Sequence, residues 1–166
     1  TSVRSYAKEQ KLKKSPLSVN EVVTEAVKDF TSTLQDYPLQ IEFEEDPRSP
    51  ICSLAPLEFE LAVFNLLKNA KEALKAQKAD EPKVFIKISS GETHCFVDIS
   101  DNGAVISDSD FERMGSVFKS GKASGLGIGL SIVRSIVQNH NGSLVLERGK
   151  NGGLVCRIRL PILNAQ

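Results

Sequence analysis

Apolar residues along this chain recur at a helical period of about 3.6 in some stretches and alternate with period 2 in others. Residues 1–16 follow neither pattern. They carry Arg4, Lys8, Lys11, Lys13 and Lys14 and read as the frayed end of a helix and a linker that Pro16 stops. Ser18 then suits an N-cap, with Glu21 completing a capping box, ahead of Val19, Val22, Val23, Ala26, Val27, Phe30 and Leu34 at helical spacing. Leu39, Ile41 and Phe43 alternate as in a strand, and Pro47 and Pro50 predict a turn. The longest helical pattern runs from Ala55 to Lys78, with Pro56 in its first turn and Leu57, Leu61, Phe64, Leu67, Ala70 and Leu74 as its buried stripe.

Two short strands, "KVFIKISS" and "HCFVDISD", flank Gly91-Glu92-Thr93 and predict an antiparallel hairpin. Asp108 or Ser109 suits the cap of a short helix over Phe111 to Met114, and residues 115–126, with few apolar anchors, read as a mobile loop. Ile128, Leu130, Ile132, Val133, Ile136 and Val137 predict a last buried helix, which Asn141-Gly142 ends at a left-handed cap. "SLVLERG" and "GLVCRIRLPI" close the chain as a second hairpin. This order predicts an α+β fold: a two-layer α/β sandwich whose mixed, mostly antiparallel sheet of about five strands is covered on one face by three helices.

Bulk properties narrow the function without choosing one. The 166 residues suit one domain, and 40% hydrophobic with 25% charged is a globular composition. Lys plus Arg and Asp plus Glu balance at 21 each, so no overall field argues for nucleic acid or an anionic membrane. No apolar run reaches the ~18 residues of a membrane span. Cys52, Cys95 and Cys156 are odd in number and far apart, which suits buried thiols in a reducing cytosol.

Three constellations carry chemistry. Asn65 and Asn69 stand four apart on one flank of the long helix; amide oxygens suit Mg2+ on nucleotide phosphates, and two exposed helical amides are the plain alternative. Asp101-Asn102-Gly103 ends a strand, where a carboxylate can accept from an exocyclic amine; the same triplet is also ordinary turn chemistry. Gly121, Gly125, Gly127 and Gly129 precede a helix, whose free N–H groups and dipole favour an anion; a surface loop is the other reading.

In this order the three resemble the catalytic, ATP-binding domain of bacterial sensor histidine kinases within the wider GHKL ATPase group. "NLLKNAKEAL" is similar to the N box, "DISDNGAVIS" to the G1 box, "FERMGSVFKSGK" to the F box and "GLGIGLSIVRSIVQNHNGSL" to the G2 box with its helix. The resemblance covers residues 18–162. It implies that residues 1–16 are the tail of a dimerisation helix with a linker, and that 17–166 are the catalytic domain with a mobile ATP lid.

The resemblance also implies roles. Asn69 would bind Mg2+, with Asn65 supporting metal and phosphates, and Lys122 would stand near the γ-phosphate; these three are the implied catalytic residues. Asp101 would recognise adenine, with Gly103 allowing close approach. Phe118 would anchor the lid, and Gly125, Leu126, Gly127, Ile128, Gly129 and Leu130 would bring backbone to the phosphates.

Hydrolytic members of the group place a glutamate base four residues before the Mg2+ asparagine. Here Asn65 holds that position, which implies slow hydrolysis and phosphoryl transfer to a protein side chain. Val105 replaces the second G1 glycine, a costly exchange wherever φ must be positive, and the F box lacks its usual proline and doubled phenylalanine. His94 follows a hairpin turn and His140 suits a helix C-cap, so neither reads as the phosphoacceptor. The implied partners are ATP, a histidine-bearing dimerisation domain of the same protein and a downstream response regulator, with no nucleic acid. By itself this segment is expected to be a monomer on the cytoplasmic side; the complete protein is expected to be a homodimer that a membrane can anchor. A nucleotide-binding module without turnover is the competing reading.

Overall fold

The computed structural model describes residues 13–120 and 126–163, with the backbone alone at 117–120 and 126–129. Strand β1 (Ser15–Ser18) leads into helix α1 (Val19–Thr31); β2 (Gln40–Glu44) and β3 (Ile51–Leu54) precede the long helix α2 (Pro56–Ala76). A hairpin of β4 (Lys83–Ser90) and β5 (His94–Asp101) follows, then α3 (Asp108–Ser120), α4 (Leu126–Asn139) and the hairpin of β6 (Ser143–Arg148) and β7 (Leu154–Pro161).

The main sheet has the order β2-β4-β5-β7-β6, with β2 parallel to β4 and every other pair antiparallel. Alternation decides its faces. Val84, Ile86 and Ile88 of β4, Cys95, Val97 and Ile99 of β5, and Cys156, Ile158 and Leu160 of β7 all point to the buried side. Cross-strand register stacks Ile86 on Ile99 and Val97 on Ile158. Helices α1, α2 and α4 cover this side, with α2 between the other two. The other face carries charged pairs across strands, such as the Arg157 fork on Asp98 at 2.8 and 3.1 Å.

Asp101 continues the inward series Cys95, Val97, Ile99 by one more step. The period that builds the core therefore also delivers a carboxylate to the helix side of the sheet, at its end.

Several expectations need correction. Residues 15 and 16 belong to β1, which pairs antiparallel with β3, so Pro16 stands in a strand opposite Ser53. Ser18 does cap α1, accepting the Glu21 N–H at 3.4 Å. The stripe of α2 is rotated from the expected one: Phe59, Ala62, Val63, Leu66, Leu67, Ala70 and Leu74 are buried, whereas Leu57 is 71% exposed and Leu61 is also exposed. "LEFELAVFNLL" is apolar on so many positions that a helical period fits it in two phases, and packing between α1 and α4 selects one. Ile132 likewise faces solvent, while Leu130, Val133, Ile136 and Val137 are buried.

Helix α3 is longer than the expected short turn and takes in 115–120, expected as loop; Ser107, not Asp108 or Ser109, caps it through the Asp110 N–H. Arg148 holds the start of α3 against β6, donating to Asp108 at 2.6 Å and to the Ile106 carbonyl. At the end of α4, Asn141 adopts φ +58° and the Gly142 N–H reaches back to the Val137 carbonyl at 2.9 Å. That is the expected left-handed cap, and a Cβ at Gly142 would collide with the Arg159 carbonyl.

The three cysteines are free and buried. No helix among the described residues is long and apolar enough to cross a membrane.

Candidate functional site

A cavity opens between α2 and the ends of β5 and β7. Leu66, Asn69, Ala70, Ala73 and Gln77 of α2 form one wall, and Ile99, Asp101, Leu154 and Cys156 form the sheet side. Ile106, Met114 of α3, Leu130 of α4 and Gly153 complete it. The lining is mostly apolar, with two polar side chains, Asn69 and Asp101, at opposite walls and Gln77 at the mouth.

Asp101 is buried yet well held. Its Oδ1 accepts the Gly103 N–H at 2.8 Å and its Oδ2 the Leu154 N–H at 3.4 Å. Burial pushes its carboxyl above the usual carboxylate range, against the pull of these two donors. Gly103 is required here: a Cβ would lie 2.7 Å from Asp101 Oδ1. Gly153, at φ +74°, would place a Cβ 2.6 Å from the same oxygen and into the Asp101 carbonyl. Beside the carboxylate, burial followed by the Asp101 charge pushes the Cys156 thiol up to about 12, so it stays neutral.

Asn69 reaches the opposite wall. Its Nδ2 is buried and has no hydrogen-bond partner among the described residues, an unusual state for an amide and one that a ligand would relieve. Asn65, one turn earlier, does not line the cavity; its Nδ2 donates to the Leu61 carbonyl at 3.0 Å. Glu72 lies in a separate groove with Phe64, Lys68 and Lys75, so Asp101 is the cavity's sole carboxylate among the described residues.

The first turn of α4, Leu126 to Gly129, carries no acidic residue to offset the positive end of the helix dipole, and Leu130 just behind it lines the cavity. Lys122 and Gly125 lie outside the described residues, as do the side chains of Phe118, Leu126 and Ile128. Val105 is 81% exposed, does not line the cavity and is absent from the residues with positive φ, so valine meets no strain there.

Two residues escaped the sequence reading. Gly153 sits in a hairpin turn that looks ordinary until β5 and β7 pair and bring it onto Asp101. Gln77 gave no periodic signal, because it lies at the C-cap of α2. His140 is not exposed for chemistry: its Nε2 accepts the Ala55 N–H at 3.0 Å and its Nδ1–H donates to the Ile136 carbonyl at 2.8 Å.

Residues 55–164 match the model of the family described as histidine kinase-, DNA gyrase B-, and HSP90-like ATPase. Among curated relatives, the chain is 26% identical over 159 residues to the sensor protein FixL of Bradyrhizobium diazoefficiens, covering 96% of this chain and 31% of that protein. It is also 26% identical to sporulation kinase B of Bacillus subtilis over 161 residues, 97% of this chain and 37% of that one. The chain thus spans about a third of these relatives' lengths. The catalytic domain of histidine kinase ThkA shares the fold, with TM-score 0.75, 24% identity and coverage of 90% of this chain and 95% of that domain. ThkA has also been solved in complex with the response regulator TrrA; that kinase chain superposes with TM-score 0.73 at 23% identity, covering 90% of this chain and 42% of that one.

Proposed function

Because this chain belongs to the family of histidine kinase-, DNA gyrase B-, and HSP90-like ATPases, we propose that it is the ATP-binding kinase domain of a two-component sensor. It binds Mg2+-ATP in the cavity and passes the γ-phosphoryl group to a histidine on a dimerisation domain, for onward transfer to a response regulator. One observation carries this reading: a buried carboxylate and a buried, unpartnered amide face one apolar cavity beside the unneutralised start of α4.

Asp101 accepts the exocyclic amine of adenine, and Ile99, Leu130 and Leu154 cover the base. Leu126 to Leu130 turn backbone N–H groups of α4 toward the phosphates. Lys122 adds a cation, Asn65 supports the phosphates from the flank, and Phe118 anchors the lid. The ATP supply places the domain on the cytosolic side, as a monomer by itself and within a homodimer when attached to its dimerisation helices.

The donor set fits Mg2+. No cluster of three or more His, Cys, Asp or Glu side chains that suits a metal exists among the described residues, so Asn69 Oδ1 and phosphate oxygens would hold the ion, with Nδ2 free to donate to a phosphate. When bound, the ion neutralises phosphate charge. The chain itself binds, orients and excludes water. Among the described residues the cavity offers no carboxylate free to activate a water, since Asp101 is held by two backbone N–H groups and turned to the adenine amine, and Glu72 lies in a separate groove. That favours transfer to a side chain over hydrolysis, with positioning and charge neutralisation as the catalytic contributions.

The test mixes this domain with a protein that carries the acceptor histidine and with ATP labelled at the γ-phosphate. An acid-labile label on that histidine is expected. ATP binding that depends on Asp101 with no label on any histidine would leave a binding module and refute the kinase reading.

A further inference from the structure

Gln77 lines the cavity mouth and has no role in the reading above. Its side chain crosses from the end of α2 to the loop after β5, where Oε1 accepts the Ala104 N–H at 2.8 Å. That bond fixes the amide. A backbone N–H must face the oxygen, so Nε2 points the other way. Among the described residues Gln77 makes no other side-chain hydrogen bond. The amide and the carboxylate close over Gly103: a Cβ there would stand 2.7 Å from Asp101 Oδ1, 2.8 Å from Gln77 Oε1 and 3.3 Å from Gln77 Nε2. A fixed donor thus lies next to a fixed acceptor, and the glycine keeps the space between them open.

We propose that Gln77 reads the nucleobase together with Asp101, donating from Nε2 to a ring nitrogen that flanks the amino group. The proposal rests on adenine lying against Asp101. A carboxylate beside an amide donor matches an edge with an amino group next to an unprotonated ring nitrogen, which adenine presents. Hypoxanthine presents a carbonyl oxygen where adenine has the amino group, which opposes Asp101 on either edge, and its protonated N1 also opposes Gln77 on the N1 edge. The site does not adapt by flipping Gln77, because the Ala104 N–H would then face an NH2 group. An ionised carboxylate has no hydrogen to give. Gln77 is therefore a specificity determinant for the base rather than a participant in phosphoryl transfer.

Calorimetric titration in Mg2+ tests this with ATP, 1-deaza-ATP, 7-deaza-ATP and inosine triphosphate, on the wild type, Gln77→Leu and Asp101→Asn. The leucine also removes the Ala104 partner, which alone would weaken every nucleotide equally. The expected result is about a tenfold loss of ATP affinity in Gln77→Leu. One deaza analogue, the one lacking the contacted nitrogen, loses clearly less affinity than ATP in Gln77→Leu, only the share due to the Ala104 partner, and inosine triphosphate binds the wild type at least tenfold more weakly than ATP. An equal loss for ATP and both deaza analogues, or no loss, overturns the proposal and leaves Gln77 as loop support. Unchanged ATP binding by Asp101→Asn overturns the adenine reading itself, and with it the role of Gln77.

Discussion

Replacing His140 with phenylalanine isolates the contact that ties α4 to α2. The ring is 3% exposed, packs on Phe59 with centroids 5.6 Å apart, and spends one nitrogen on each helix. Phenylalanine keeps the volume and the aromatic contact. It orphans the Ala55 N–H, while the Ile136 carbonyl keeps the His140 backbone N–H at 3.1 Å. One buried donor left unpaired costs about 2 kcal/mol, a shift of about 1 M in a urea midpoint.

The cost also depends on pH. Burial first, then the nearby Lys14 charge, holds the His140 imidazole below its ordinary value, against the opposing Ile136 carbonyl and Glu58. The unfolded chain therefore binds the proton first. The stabilisation is complete above the free histidine value of about 6.5 and is lost as pH falls through it. At about pH 5.5 the wild type loses up to about 1.4 kcal/mol that His140→Phe does not. The gap between the two proteins in urea unfolding should narrow from about 2 kcal/mol as pH falls from about 7.5 to about 5.5, by at most about 1.4 kcal/mol. Titration of groups shared by both proteins cancels in this difference. A gap that stays constant across that range would refute the neutral, doubly bonded histidine.

Other substitutions separate binding from folding. Asp101→Asn should weaken ATP binding at least tenfold with only a small change in thermal stability near neutral pH, because the asparagine still accepts the Gly103 N–H and no longer ionises where burial opposes it, which offsets the loss of the long Leu154 bond to an NH2 group. Asn69→Leu should likewise abolish Mg2+-dependent ATP binding without a loss in melting temperature, since it removes an unpartnered amide. Gly153→Ala should lower both stability, by about 2 kcal/mol in denaturant unfolding, and ATP affinity, as a left-handed alanine pushes into Asp101. Val105→Gly should change ATP affinity by less than about twofold, the margin of an exposed loop substitution; a sharp gain would show that valine does strain the loop.

The strands that bury one face were legible because alternation leaves little choice of register: Cys95, Val97 and Ile99 announce their side, and Asp101 inherits it. The phase of α2 was not, since Leu57, Leu61 and Phe64 fit a helical stripe as well as Phe59, Val63 and Leu66 do, and only the neighbouring helices decide. The pairing of β1 with β3 was not legible either: it joins two four-residue segments, one with a proline, whose partners lie far apart in the chain, from Ser18 with Ile51 to Ser15 with Leu54. Asp101 and Asn69 showed in the sequence as residue types at informative spacings. Gly153 and Gln77 did not, because their roles come from meeting Asp101 and Ala104 across the fold.

The most direct measurement is titration of a nonhydrolysable ATP analogue with Mg2+ into the wild type and Asn69→Asp. Saturable binding that Asn69→Asp disrupts, and that chelation of Mg2+ weakens, is the predicted result. Absence of binding at millimolar nucleotide, or identical binding by both proteins with and without Mg2+, would contradict a nucleotide site built on Asn69 and Asp101.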